Sequence, residues 1–197
     1  MPDSVLDNKK RMDRNKAVPA LLGNTDDFLI VAGLAGPAKD VGALTDKAFL
    51  FGGAMGGAVA AGLGLALAQP DKKVLCVTGD GDMLMSLGSL ATVGVMKPAN
   101  FSLVCVDNAL YQETGGQTSH TGLGVNLAQV AEGCGFAVTR DVTEESQIEE
   151  ASGLLRQSNG STFILLRVND TPSPKGIRNL HATETKAAFR EMVLGHR

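Results

Sequence analysis

The chain of 197 residues has no run of about eighteen apolar residues free of glycine, polar or charged interruption, which excludes a transmembrane helix. Segment 52–68 comes nearest, but it is rich in glycine and alanine and suits close helix packing better than lipid. Basic residues are not in excess. The net charge of -3 argues against a nucleic-acid partner held through its phosphates. A basic cluster, Lys9-Lys10-Arg11 with Arg14 and Lys16, is interleaved with Asp13 and asparagines and reads as a solvated head. The basic-then-apolar layout of a secretory signal is missing. Cysteines number three, Cys76, Cys105 and Cys134, an odd count without metal-ligand spacing. Two of them fall inside apolar runs, where cysteine packs as a small hydrophobe. These absences fit a reducing cytoplasm. No window has the G-x-G-x-x-G spacing of a dinucleotide site, and no Gly-Lys pair exists for a P-loop.

What is present is ordinary globular material. Hydrophobic residues make up 44%, so the chain is long and apolar enough to bury a full core. Residues 1–10 are polar and are expected to form a flexible head, leaving 11–197 as one domain. Asp13 is placed to cap a helix over 14–22, with Pro19 limiting its regularity. Short apolar runs at 28–32, 48–51, 74–78, 101–106, 136–139 and 161–168 read as strands. Helical spacing is found over a short stretch ending near 44, and over 56–68, 83–96, 127–134 (Asn126 as cap), 144–157 (Thr143 as cap) and 183–194. No internal repeat or dividing linker is seen. The alternation predicts a doubly wound parallel sheet, a three-layer αβα sandwich.

The most informative stretch is 79–117, GDGDMLMSLGSLATVGVMKPANFSLVCVDNALYQETGGQ. Strand, helix and strand in about thirty residues form a βαβ unit, which makes the two strands parallel. Asp80 and Asn108 then lie at strand carboxyl ends, the edge where open α/β sheets bind ligands. Magnesium takes one or two protein oxygens plus phosphate oxygens of its ligand. Glycines beside Asp80 let the backbone approach a phosphate, at the start of the next helix. A tight turn alone explains Gly79-Asp80-Gly81, and a turn residue alone explains Asn108. The pair on two parallel strands points to a magnesium diphosphate site. Segment 109–125 has no periodicity and reads as a long functional loop with few apolar anchors, mobile in the isolated chain.

Gly-Asp-Gly with Asn108 twenty-eight positions after Asp80 resembles the thiamine diphosphate fingerprint. The segments FGGAMGGAVAAGLGLALAQPDKKVLCVTGDG and DNALYQETGGQ resemble the pyrophosphate-binding domain of phosphonopyruvate and sulfopyruvate decarboxylases. The resemblance covers about 11–190 and is strongest over 51–136. It implies thiamine diphosphate and Mg2+ as cofactors, and a 2-oxo acid as substrate. Asp80 and Asn108 would ligate the metal by side chain, and Leu110 by its carbonyl. Gly79, Gly81, Asp82, Ala54 and Tyr111 would border the cofactor, with backbone amides of Gly81 and Asp82 on the diphosphate. Asp82 also reads as a helix N-cap. The Gly53 carbonyl would accept from the aminopyrimidine, and Met55 would wedge between the rings and enforce a bent cofactor. A methionine there is equally core filler.

His120, in the loop, is a candidate proton donor as well as a candidate bystander; His181 and His196 fall in the tail. Relatives often carry Ser or Thr after the first strand, whereas this chain reads Gly33-Leu34-Ala35-Gly36. The resemblance further implies a catalytic glutamate on a separate pyrimidine-binding domain. No second copy of the fold is found in this chain. The expectation is therefore a β subunit or an excised domain, completed by another polypeptide in a hetero-oligomer, or a homodimer of this domain, with no nucleic-acid or membrane partner. A carboligase component resembling acetolactate synthase, or a non-catalytic cofactor-binding subunit, remains an alternative.

Overall fold

The four central strands are apolar on both sides, as a sheet sandwiched between helices requires. The structure, a computed structural model, describes residues 11–51, 54–175 and 181–195. The predicted head, 1–10, lies outside them. The first helix, α1 (Arg14–Leu22), starts at Asp13, whose carboxylate accepts the Asn15 amide, and runs through Pro19. Next come β1 (Leu29–Ala32), α2 (Gly36–Gly42), β2 (Phe49–Leu50) and α3 (Ala58–Ala68). The central unit is β3 (Val74–Gly79), α4 (Asp80–Leu84), α5 (Gly88–Met96) and β4 (Phe101–Asp107). The loop after it holds β5 (Leu110–Tyr111) and β6 (Gln117–Thr118). It is followed by α6 (Leu127–Gly133), β7 (Val138–Val142), α7 (Ile148–Leu154), β8 (Thr162–Arg167) and α8 (Ala182–Leu194).

Six strands pair in parallel in the order β2-β1-β3-β4-β8-β7. Alternate side chains go to opposite faces. Ile30, Leu75, Val77, Val104, Val106, Ile164 and Leu166 pack under α1, α2 and α7, with Leu21, Leu22, Val41 and Leu155. Val31, Cys76, Leu103, Cys105, Phe163 and Leu165 pack under α3, α5, α6 and α8, with Leu63, Leu90, Val93 and Leu127. The result is the expected three-layer αβα sandwich. Cys76 and Cys105 are fully buried in the second core, and burial pushes both thiols well up, so they act as packing groups.

Four local expectations are corrected. The helix expected over 83–96 is two helices. Ser86 donates its amide to the Met83 carbonyl, and Ser89 donates both amide and hydroxyl to the Ser86 carbonyl, which turns the chain before Gly88. Helix α7 is entered not from Thr143 but through a capping box of Glu144 and Gln147, and is shorter than its periodicity suggested. The strand expected at 136–139 is displaced to β7, because Gly135 turns at φ 95° and Phe136 goes to the core before pairing starts at Val138. The loop 109–125 is not featureless: Leu110 pairs with Thr118 and Tyr111 with Gln117 in a small hairpin.

The basic cluster near the N-terminus is also not wholly solvated. Arg14 is 2% exposed and grips Asp40 on α2 with three contacts of 2.5–2.9 Å. Burial pushes the Asp40 carboxyl up, and the Arg14 guanidinium opposes that shift. Arg11 donates to the Asp107 carbonyl at 2.9 Å. Lys16 alone of the described members is exposed on its helix. No helix of the described residues is long and apolar enough to cross a membrane.

Candidate functional site

Strand order reverses between β1 and β3, since the chain goes outward to β2 and then returns to β3 on the other side. Ligands of open α/β sheets bind outside the strand carboxyl ends at such a point. A cavity of about 350 Å3 opens there. Its walls come from 34–37 after β1, from Gly79, Asp80, Gly81 and Asp82 after β3, and from Asn108, Leu110 and Tyr111 after β4, with Met55. A larger cavity, about 510 Å3, lies at the opposite strand ends around Asp26, Lys47, Lys72 and Lys73. There Lys47 pairs with Asp26 and Lys72 donates to the Val193 carbonyl. None of the predicted site residues lines it.

The carboxyl-edge cavity is shaped by close backbone approaches. A Cβ on Gly33 would stand 2.1 Å from Asp82 Oδ2, and one on Gly81 would stand 2.9 Å from the Tyr111 ring and 4.0 Å from the Met55 methyl. Only glycine lets these turns meet. Asp82 ties them together. Its carboxylate accepts the Thr78 hydroxyl at 2.6 Å and the Gly56 amide, drawing the glycine turn before α3 against the end of β3. Asp82 therefore lies inside α4, whose N-cap is Gly79, and is not the cap itself. Two of the non-glycine residues held at positive φ border this site: Ala35 at 67° and Ala109 at 61°. Such strain gathers at functional edges.

Asp80 is 3% exposed and Asn108 4%. Burial, with the Asp107 carboxylate second, pushes the Asp80 carboxyl up to about 6, while a Ser119 hydroxyl and the amides of Asp80 and Gly81 favour its charge. Asn108 Oδ1 accepts the Leu110 amide at 3.1 Å, which fixes the amide side chain at the strand end. The Asp80 carboxylate, the Asn108 amide and the Leu110 segment thus line one cavity. Among the described residues no group of three or more His, Cys, Asp or Glu could hold a metal unaided. The donor set instead matches a hard cation that shares its coordination with an anionic ligand.

Other predicted positions fall differently. Gly53 lies outside the described residues. Ala54 is exposed and does not line the cavity. Met55 is half-buried at the wall. His120 does not line the cavity either; its Nδ1 meets the Tyr111 hydroxyl at 2.7 Å, so Tyr111 stands between it and the space. Burial and the nearby Asp80 push the Tyr111 hydroxyl up. Sequence reasoning missed Thr78, Asp107, Ser119, Thr121 and Arg167, which fix the site from behind. The available signal was hydroxyl residues crowded into a loop beside two acidic strand ends.

An αβα sheet with an acidic, glycine-shaped cavity at its switch point defines an α/β protein with a candidate ligand site at the carboxyl edge of its sheet. The family described as thiamine pyrophosphate enzyme, C-terminal TPP binding domain, matches residues 40–166, and the chain belongs to it. It is 40% identical over 148 residues to the sulfopyruvate decarboxylase subunit beta of Methanocaldococcus jannaschii, covering 74% of this chain and 77% of that one. Similarity to the phosphonopyruvate decarboxylase of Streptomyces viridochromogenes is 38% over 123 residues, 62% of this chain and 30% of that one. In fold the chain matches the benzoylformate decarboxylase of Polynucleobacter necessarius with TM-score 0.64 at 16% identity, over 88% of this chain and 36% of that structure.

Proposed function

We propose that this chain is the thiamine diphosphate- and Mg2+-binding β subunit of a decarboxylase for a 2-oxo acid of the sulfopyruvate or phosphonopyruvate type. It works with a separate pyrimidine-binding subunit that supplies the catalytic glutamate. The observation that supports this most is the meeting of Asp80, Asn108 and Met55 in one cavity at the switch point. The relatives' names support the reaction and the subunit character.

Asp80 and Asn108 would hold the metal by side chain and Leu110 by its carbonyl. The amides of Gly81 and Asp82, at the start of α4, would meet the diphosphate. No hydroxyl follows β1, so that wall offers backbone amides of 34–36. The bound cofactor supplies the electron sink that makes loss of carbon dioxide feasible. Decarboxylation of a 2-oxo acid to an aldehyde consumes one proton. Tyr111 lines the wall and its hydroxyl is linked to His120, so His120 would serve through Tyr111 rather than directly. Met55 and Tyr111 flank Gly81, which confines whatever lies over α4 to one geometry. Turnover of the co-expressed pair on sulfopyruvate, phosphonopyruvate and pyruvate tests the reading. Carbon dioxide release from one of the first two is expected; release from none of the three would overturn it.

Met55→Ala is expected to separate binding from rate. Diphosphate anchoring lies elsewhere, so thiamine diphosphate affinity should change little. Turnover should drop on the order of 10- to 100-fold, because misplacement at the reacting geometry costs rate. Calorimetry beside steady-state kinetics reads both. Equal loss of affinity and rate would mark Met55 as ordinary packing.

A further inference from the structure

Behind the cavity lies a cluster of four buried polar side chains. Ser119 is fully buried and Thr121 is 1% exposed, both on the loop after the β5–β6 hairpin. The Ser119 hydroxyl donates to Asp80 Oδ2 at 2.5 Å, and Thr121 Oγ1 lies 3.3 Å from the same oxygen. Thr121 donates to Asp107 Oδ1 at 2.7 Å, and the two hydroxyls touch at 2.8 Å. Asp107 is in turn fixed by the Ala109 amide at 2.9 Å and by Arg167 at 2.6 Å. Arg167 is anchored on Asp141, which also accepts from Asn126, the N-cap of α6. These contacts join the loop to the ends of β4 and β8 and to the start of α4, and they hold the Asp80 carboxylate from behind.

We propose that Ser119 and Thr121 are positioning residues for the cation site. They occupy Asp80 Oδ2 and orient the carboxylate plane, so that the rest of the group is presented to the cavity in one orientation. This rests on the function proposed above. The physical reason for such a device is the metal. Magnesium demands near-ideal octahedral geometry at about 2.0–2.1 Å, whereas calcium accepts flexible coordination at about 2.3–2.6 Å. A ligand that swings freely serves calcium almost as well as a fixed one, and magnesium worse. Partners behind a metal ligand are typically worth about 10- to 100-fold in affinity. Because both hydroxyls belong to the loop, the same contacts fasten the hairpin bearing Tyr111 to the metal ligand.

The test uses the full chain, with Ser119→Ala, Thr121→Val and the hydroxyl-retaining Ser119→Thr and Thr121→Ser. Calorimetry at saturating thiamine diphosphate reads the dissociation constants of Mg2+ and of Ca2+. Thermal unfolding without cofactor reports whether each variant folds. The expected result for Ser119→Ala and Thr121→Val is a rise of about tenfold or more in the Mg2+ constant, with Ca2+ changed less than about threefold. The hydroxyl-retaining variants should recover most of the Mg2+ affinity. A purely structural role would weaken both cations alike. That outcome, or unchanged Mg2+ affinity, or loss of folding in the hydroxyl-retaining variants, overturns the inference alone. Failure of the unsubstituted chain, together with the pyrimidine-binding subunit, to bind thiamine diphosphate in a metal-dependent way overturns it together with the function on which it rests.

Discussion

Asp80→Ala is expected to abolish metal-dependent binding of thiamine diphosphate at ordinary magnesium concentrations. The carboxylate is the single anionic side chain proposed to bridge protein to metal, and the diphosphate loses its link when it is removed. Truncating one partner of a buried charged contact costs about 2–5 kcal/mol, on the order of 30- to 4,000-fold in affinity. Asn108→Ala should weaken binding less, since an amide is a neutral ligand and its oxygen is already shared with the Leu110 amide. Alanine at 80 also removes the acceptor of Ser119, so the loop hairpin loses an anchor. Calorimetry with thiamine diphosphate and Mg2+ decides the matter. Unchanged affinity in Asp80→Ala would remove the basis of the metal assignment.

The second large effect concerns the partner. This chain alone is expected to fold, with its two cores intact, and to release no carbon dioxide. Adding the complementary pyrimidine-binding subunit should raise activity from background to full turnover. The interface is proposed to lie over the edge bearing Met55, Asp80 and Asn108, because the reacting atoms must be sealed from water there. The loop 109–125 is the element that such a partner would order further, although Ser119 and Thr121 already tie its far end to the sheet. Mixing the purified subunits and measuring carbon dioxide release checks this. Robust activity from the isolated 197-residue chain would overturn the half-site proposal.

The fold was legible because its signals are local. Apolar runs flanked by glycine, proline or aspartate marked the strands of the sheet other than β7, and Asp13 and Asn126 marked helix starts that the structure keeps. Asp80 and Asn108 were legible for a related reason: one βαβ unit holds both, so their spacing alone put them on one edge. The supporting residues were not. Thr121 meets Asp107, and Arg167 meets both Asp107 and Asp141, across chain separations that carry no periodic trace. Arg14 was misread for the same reason. Its charge suggests solvent, and only the packing of α1 on α2 reveals Asp40 as its buried partner. The break between α4 and α5 was hidden because a turn through Ser86 and Ser89, rather than a proline, separates the two helices.

The sheet has one further consequence, for how such a protein can change over generations. Cys76 and Val77 are neighbours in the chain but belong to separate clusters, one under α3 and α5, the other under α1 and α2. Sites that share no contacts respond to substitution almost independently. Each layer can therefore drift, losing and regaining volume within its own neighbourhood, without a compensating change in the other. What both layers must respect is the strand register that pairs Gly79 with Val106 at the carboxyl edge. Substitutions in one layer are therefore expected to be compensated within that layer, while the turn residues of the carboxyl edge answer to both.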